Sequence, residues 1–490
     1  MPTSSTPTLV AGVHCSARQL RILVCDAATG TPLRQGRAAY AEGAATTPGA
    51  WLRAFGEAAA GGLLDGVAAI GVAAQNHGAV PLDGQGVVLT HPLPDDDHGA
   101  SGAAADLVDS LGGPAAWTAA TGSVPGSSSA IAQLRRFARF EPDAVARIAS
   151  VLLPHDWVTW QLLGCPPDAV TDRADASTTG YYATTGEWRE DLLHLAIGRV
   201  PRTPIVLPPG SAAGRTPEGV LVSAGTGSEA ALALGAGLAD GDVVVALGTT
   251  ATAFTPHPVS VVDPTGVVGS YADATGRYLP LVRTLNAARV LRGTAAMLGL
   301  DADEFDRAAL ESTPGASGLV LLPYLDGEHI PDLPHAAGTL TGLRQESMTP
   351  SALARATVEG TLCGLSDALD VLRDRDIAVE RLILVGPGAR SAAVEAIAPA
   401  LLGLPTAVPS AALAGRHVAQ GAARQAAWAL FGVLPAWPSG VGEFIEPDED
   451  ALALGDAVRA QYREVRDRLH PGAVAPPREG VEAGGRHRRG

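Results

Sequence analysis

The stretch Val220–Gly237, "VLVSAGTGSEAALALGAG", reads as a strand, a glycine turn and a helix. Gly225, Gly227 and Ala230 satisfy the spacing G-x-G-x-x-G/A, in which glycines admit close backbone approach and a helix N-terminus offers free N–H groups to an anion. A dinucleotide site also needs an acidic residue about 20 positions on, at the tip of the next strand. Asp240 and Asp242 come too early, ahead of "VVVALG". The turn therefore fits another kind of site, or a plain connection, better than a dinucleotide fingerprint.

Composition narrows the chemistry. Every fixed basic side chain among the 490 residues is arginine, and no lysine occurs. This removes both the P-loop, whose lysine reaches the phosphates, and lysine Schiff-base catalysis. With 35 basic and 51 acidic residues the formal charge is −16, so neither nucleic acid nor an anionic membrane is an expected partner. Cys15, Cys25, Cys165 and Cys363 are scattered and form no C-x-x-C pair, which points to a reducing cytoplasm and against disulfides or a zinc site. The N-terminal "MPTSSTPTLVAG" lacks the basic and apolar regions of a signal peptide, and no uncharged apolar run reaches 18 residues. A cytoplasmic protein is expected.

The positioning elements follow from pattern. The segment "TLVAGVHCSARQLRILVCDAATGTPLRQGRAAY" reads as two apolar strands joined at Ala27–Gly30, and strand–turn–strand units recur around Asp83–Gly86 and Asp273–Gly276. Helices are expected at 130–138 and 142–148. Thr349 followed by Pro350 predicts a capped helix running to about Asp374. "RLILVGPGARSAAVEAIAPALLGLPTAVPS" reads as strand, glycine turn, helix and strand, and "GRHVAQGAARQAAWALFG" as a further helix. At this length, hairpins followed by helices predict two related α/β domains, divided as 1–236 and 237–470, with a Pro/Gly-rich disordered tail over 471–490.

Several stretches in this order resemble the FGGY carbohydrate kinases, and among them the actinobacterial xylulokinases. These are "AAQNHGAVPLDGQG", "TGSVPGSSSAIAQLRRFARFEPDAVARIASVLLPHDW", "DADEFD", "LLPYLDGEHIPDLPHAAG" and "GAARQAAWAL". The resemblance implies two ribonuclease-H-like domains of the actin and hexokinase superfamily with an interdomain cleft. It further implies ATP-dependent phosphorylation of a ketopentose such as D-xylulose, with Mg²⁺. The sugar and ATP would be the partners, and a homodimer is compatible with it.

Carried over residue by residue, the resemblance assigns Gln75, Asn76, His77, Gly78 and Asp97 to the sugar. His14, Ser16, Ala17 and Arg21 fall on the first phosphate motif, and Gly248, Thr249 and Thr250 on the second, after Leu247. Gly386, Gly388, Ala389 and Ser391 fall on the adenosine motif. The opening turn falls on Gly-Gly-Gly-Asp-Asn/Gln-Ala-Ala, whose Asp takes the proton from the attacking sugar hydroxyl. Here that position is Ser228, and a serine hydroxyl is far too weak a base near neutral pH. Glu229 is the nearby acid, displaced by about 100° around the helix. His14 replaces the Mg²⁺-organising Asp, leaving no firm metal ligand, since imidazole suits a hard, oxygen-seeking ion poorly. Arg21 replaces a Lys, Pro387 a glycine and His329 an Arg, and of "PDDDHG" only Asp97 keeps the sugar-loop pattern. The alternative function is thus an inactive pseudokinase that binds sugar or nucleotide in a regulatory role.

Overall fold

A computed structural model describes residues 7–41, 43, 47–76, 78–89, 97–410 and 415–473. His77, Asp95, Asp96 and the tail 474–490 lie outside the described residues. The chain forms two compact units: Met1–Val244 with Phe254–Leu281 and Ala407–Glu443, and Val245–Ala253 with Val282–Thr406 and Phe444–Gly490.

Unit 1 is built on a seven-stranded mixed sheet. Strands β1 (Leu9–Cys15), β2 (Gln19–Asp26) and β3 (Pro32–Ala39) form an antiparallel meander, and β4 (Val67–Ala74) runs parallel to β1. The order continues to β6 (Leu221–Ser223), parallel to β4, and β5 (Ala212–Arg215), while β7 (Thr226–Gly227) also pairs with β4. Where the sequence suggests two strands there are three. The additional reversal at Ser16 has no Gly or Pro; its hydroxyl donates to Gln19 O at 2.7 Å and accepts from the Arg18 and Gln19 amides.

One sheet face packs on helices Pro48–Ala58 and Pro154–Leu162, where Trp51 and Trp157 meet edge to face at 6.0 Å among Val13, Ile22, Ile70 and Val72. Helix His417–Phe431 covers the other face so closely that a Cβ on Gly12 would lie 1.8 Å from Ala419 O, and one on Gly71 would lie 2.1 Å from Ala422 O. Its alanines make this approach feasible. The expected hairpin at 273–276 joins Gly269–Ala272 to Tyr278 and its neighbours in antiparallel register.

A second, six-stranded sheet follows the order Gly269–Ala272, β10 (Tyr278–Thr284), β9 (Ala251–Phe254), β8 (Asp242–Leu247), β11 (Arg381–Val385) and β12 (Thr406–Ala407). Helix Pro350–Arg373 begins as its sequence predicts, with the Thr349 hydroxyl accepting from Ala352 N at 3.1 Å. No helix among the described residues is long and apolar enough to cross a membrane.

Candidate functional site

In unit 1 the glycine turn is shaped by close approach. Gly225 has φ +79°, and a Cβ there would lie 2.4 Å from His155 Cδ2 and 3.0 Å from Val72 O. A Cβ on Gly227 would meet the Asn76 amide at 2.4 Å. At Gly225 the positive φ and the Val72 carbonyl disfavour any side chain, whereas at Gly227 the neighbour is the movable Asn76 side chain. Helix α1 (Ser228–Ala236) begins at Ser228, the position to which the resemblance assigns the base. The Ser228 hydroxyl donates to Ala74 O at 2.8 Å, and Glu229 N donates to Asn76 Oδ1 at 3.4 Å. The turn is thereby fastened to the end of β4, and Ser228, Glu229 and Asn76 form one group. The Gln75 backbone N–H donates to Cys15 O at 3.1 Å, and Gly78 packs on Pro154. His77, assigned to the sugar, lies outside the described residues, and Asp97 opens helix Asp97–Leu111.

Beneath the turn lies a buried ionic cluster that the sequence reading did not single out. His155 Nδ1 is 2.7 Å from Asp175 Oδ2, its Nε2 is 3.0 Å from Asp156 Oδ1, and Asp172 accepts from the Thr226 hydroxyl at 2.7 Å. Burial alone would depress the His155 pKa, but Asp156 and Asp175 raise it well above the ordinary imidazole value. Burial pushes Asp172 up to about 6, against the pull of His155. A protonated imidazole wedged under Gly225 and a carboxylate tied to Thr226 thus hold the turn from below. The signal in the sequence was "PHDW" followed by "TDRAD", readable only once the two segments are brought together.

At the end of β1, His14 is half-buried and pairs across the ladder with Arg21. Burial, then Arg21, depresses its pKa to about 4, so the ring is neutral at pH 7. Ser16 and Ala17 lie in the β1–β2 turn, where the Ser16 hydroxyl is engaged by the turn itself. A neutral imidazole facing a guanidinium does not fit a hard dication. Among the described residues no group of three His, Cys, Asp or Glu side chains could hold a metal. His14 is thus poorly suited to hold Mg²⁺.

Unit 2 brings the other candidates together. Strand β8 ends in Gly248–Thr249–Thr250, and Gly248 O accepts from Ala288 N, at the start of helix Ala288–Leu298, at 2.9 Å. Arg292, one turn along, reaches the Thr249 hydroxyl at 3.4 Å. Gly386 has φ +93°, and a Cβ on Gly388 would stand 3.0 Å from both Ala288 Cβ and Leu247 Cβ. Ser391 caps helix Ala392–Leu402 and donates to Asp306 Oδ1 at 2.5 Å, while Ala392 N donates to the second carboxylate oxygen at 2.7 Å. These segments wall a cavity of about 390 Å³ lined by Leu291, Arg292, Asp303, Pro387, Gly388 and Arg390. Its size and mixed lining suit an adenosine. Pro387 takes helical angles, φ −62° and ψ −37°, so the turn closes without a glycine there. Ala389 is buried behind it.

The two units carry the frame of a sugar kinase, and the comparisons agree. The model of the FGGY family of carbohydrate kinases, N-terminal domain, matches residues 57–243, and that of its C-terminal domain matches 243–430. The chain belongs to the FGGY family of carbohydrate kinases and has its two-domain, actin- and hexokinase-like α/β fold. Within that family it is similar to the xylulose kinase of Streptomyces coelicolor, with 38% identity over 94% of this chain and 98% of the relative. It is also similar to that of Streptomyces rubiginosus, with 38% identity over 91% and 94%. The crystal structure of xylulose kinase from Bifidobacterium adolescentis superposes with a TM-score of 0.85 at 36% identity, over 94% of this chain and 100% of that one. The chain is a xylulokinase-like carbohydrate kinase by descent.

Proposed function

We propose that the protein binds a ketopentose such as D-xylulose and an adenine nucleotide in the cytoplasm, but transfers the phosphoryl group orders of magnitude more slowly than a kinase with a carboxylate base. Its role is then that of a ligand-binding member of a kinase family. Ser228 carries this reading: it stands at the first position of α1 with its hydroxyl spent on Ala74 O. The relatives named above support the sugar, and the cavity beside Gly388 supports the nucleotide. FGGY kinases use ATP, typically with Mg²⁺, but His14 does not supply the carboxylate that would organise the metal.

Calorimetric titration with D-xylulose and with Mg-ATP, paired with an ADP-release assay, tests the reading. Binding of both ligands with turnover at least a hundredfold below the roughly 1–100 s⁻¹ usual for kinases is the expected result. Turnover in that range overturns it, as does failure to bind either ligand. A second reading, with Glu229 as replacement base, is favoured by the Asn76 contact that fixes its backbone beside Ser228. It requires turnover that Glu229→Gln abolishes.

A further inference from the structure

Glu328, in the stretch "LDGEHIP", is only 3% exposed, and its carboxylate ties two segments of unit 2 together. Oε1 accepts from the Leu285 N–H at 2.6 Å and from the His329 N–H at 2.7 Å, while Oε2 accepts from Asn286 Nδ2 at 2.8 Å. The same Nδ2 donates to Gly327 O at 2.8 Å, and Asn286 Oδ1 accepts from Arg289 Nε and Nη2 at 3.1 and 2.7 Å. Arg289 Nη2 also reaches Leu325 O. Residues 285–289 are therefore knitted to loop 325–329 through side chains. The loop is closed on itself: Glu328 and Leu333 exchange both backbone hydrogen bonds, at 3.0 and 2.9 Å, and Gly327 N donates to Ala336 O at 3.0 Å.

These anchored residues lead straight into helix Ala288–Leu298. No side chain caps that helix, and its cap residue Ala287 sits at φ −134° and ψ −120°, so the entry is held from outside the helix. Ala288 N donates to Gly248 O at 2.9 Å. A peptide group is planar and trans, so its C=O and the following N–H point in opposite directions. Pinning Gly248 O thus sets where the Thr249 N–H points. The resemblance assigns Gly248, Thr249 and Thr250 to nucleotide phosphate, and a turn of this kind binds an anion through the directions of its amides. Glu328 stands two links away: its grip on Leu285 and Asn286 places Ala288, and Ala288 orients the Gly248–Thr249 peptide. All of these residues belong to unit 2.

We propose that Glu328 is a positioning residue for the nucleotide: by anchoring Leu285 and Asn286 it holds Ala288 against Gly248 and so aims the Thr249 amide at the phosphates. This rests on the proposed function, in which unit 2 binds an adenine nucleotide. It divides the site in two. The cavity for adenosine has its own anchor, Asp306, which accepts from the Ser391 hydroxyl and from Ala392 N. The phosphates depend on Glu328 instead. Ala288 also borders the cavity, but an apolar wall tolerates a small shift better than a directed hydrogen bond, which weakens steeply with angle. Loss of the Glu328 anchor therefore weakens the hold on phosphate and spares the hold on adenosine.

The test compares full-length Glu328→Gln with its parent. Glutamine keeps the size of the side chain, but with its oxygen on the Leu285 amide it turns a donor toward the Asn286 Nδ2 donor, so the anchor opens without leaving a void. Calorimetry with ADP and with adenosine should show ADP affinity reduced about tenfold or more and adenosine affinity changed by less than about twofold. Hydrogen exchange without ligand should show the Ala288 amide exchanging about tenfold or more faster in the variant, with the Ala392 amide, held by Asp306, unchanged. Equal losses for ADP and adenosine, as a general loosening would give, overturn the proposal, as does unchanged ADP affinity or unchanged exchange at Ala288. If Glu328→Gln does not fold, Asn286→Ala, which removes the Nδ2 bonds and leaves the Leu285 and His329 amides on Glu328, should show the same split and is judged by the same outcomes. A parent that binds no ADP overturns the proposed function instead, and the anchoring of Ala288 then stands or falls on the exchange measurement.

Discussion

Ser228→Asp is the most informative single change. Ser228 is the first residue of α1, so an aspartate there sits where negative charge is favoured by about 0.3–1 kcal/mol. The change removes the 2.8 Å hydrogen bond to Ala74 O, a net loss of about 1 kcal/mol, and turns the carboxylate away from that carbonyl. The two effects nearly cancel, so stability should move by less than about 1 kcal/mol. A positioned general base contributes typically 10²–10⁴-fold, or about 3–5 kcal/mol of barrier. Fold and chemistry are therefore separable: thermal unfolding should hardly shift while D-xylulose-dependent ADP release rises at least a hundredfold. If Ser228→Asp folds and binds both ligands but its rate stays within tenfold of the parent, even when combined with His14→Asp, then the missing base is not what limits this protein.

Two further outcomes follow from packing and charge. Gly421→Ala would set a Cβ 1.8 Å from Ala231 O where helices α1 and His417–Phe431 cross; overpacking against backbone costs about 1–3 kcal/mol, so the urea midpoint should fall, and an unchanged midpoint refutes the close crossing. His14 titrates near 4 in the folded protein and 6.5 in the unfolded chain. Between these values the unfolded chain holds more protons, so stability falls as pH drops from about 6.5 to 4, by at most about 3 kcal/mol. His14→Gln should remove that acid-side slope relative to the parent, and equal slopes in the two proteins would refute the burial of a neutral ring.

What was legible depended on the range of the interaction. The start of helix Pro350–Arg373 was readable because Thr349 caps Ala352 three residues on. The strand–turn–helix around Gly225 was readable for the same reason. The reversal at Ser16 was missed because a side-chain hydroxyl does the work usually signalled by Gly or Pro. The cluster under the turn joins His155 to Asp175, 20 residues on, and Asp172 to Thr226, 54 residues on. No local pattern encodes such pairings. The cavity of unit 2 was partly legible: its glycine turn was recognised, but Asp306 was not identified as the anchor of Ser391.

The glycines and the missing carboxylates carry unequal weight as signs of activity. Gly225, with φ +79° and His155 2.4 Å from a Cβ, and Gly386, with φ +93° and Leu247 O at 2.9 Å, are called for on folding grounds alone. Ser228 and His14 are different, because neither stands at a positive φ that calls for glycine. The family resemblance places carboxylates at those positions, as base and as metal organiser. On the reading proposed above, a hydroxyl and a neutral imidazole at these two places leave the steric demands of the fold met while withholding the groups that turnover would use.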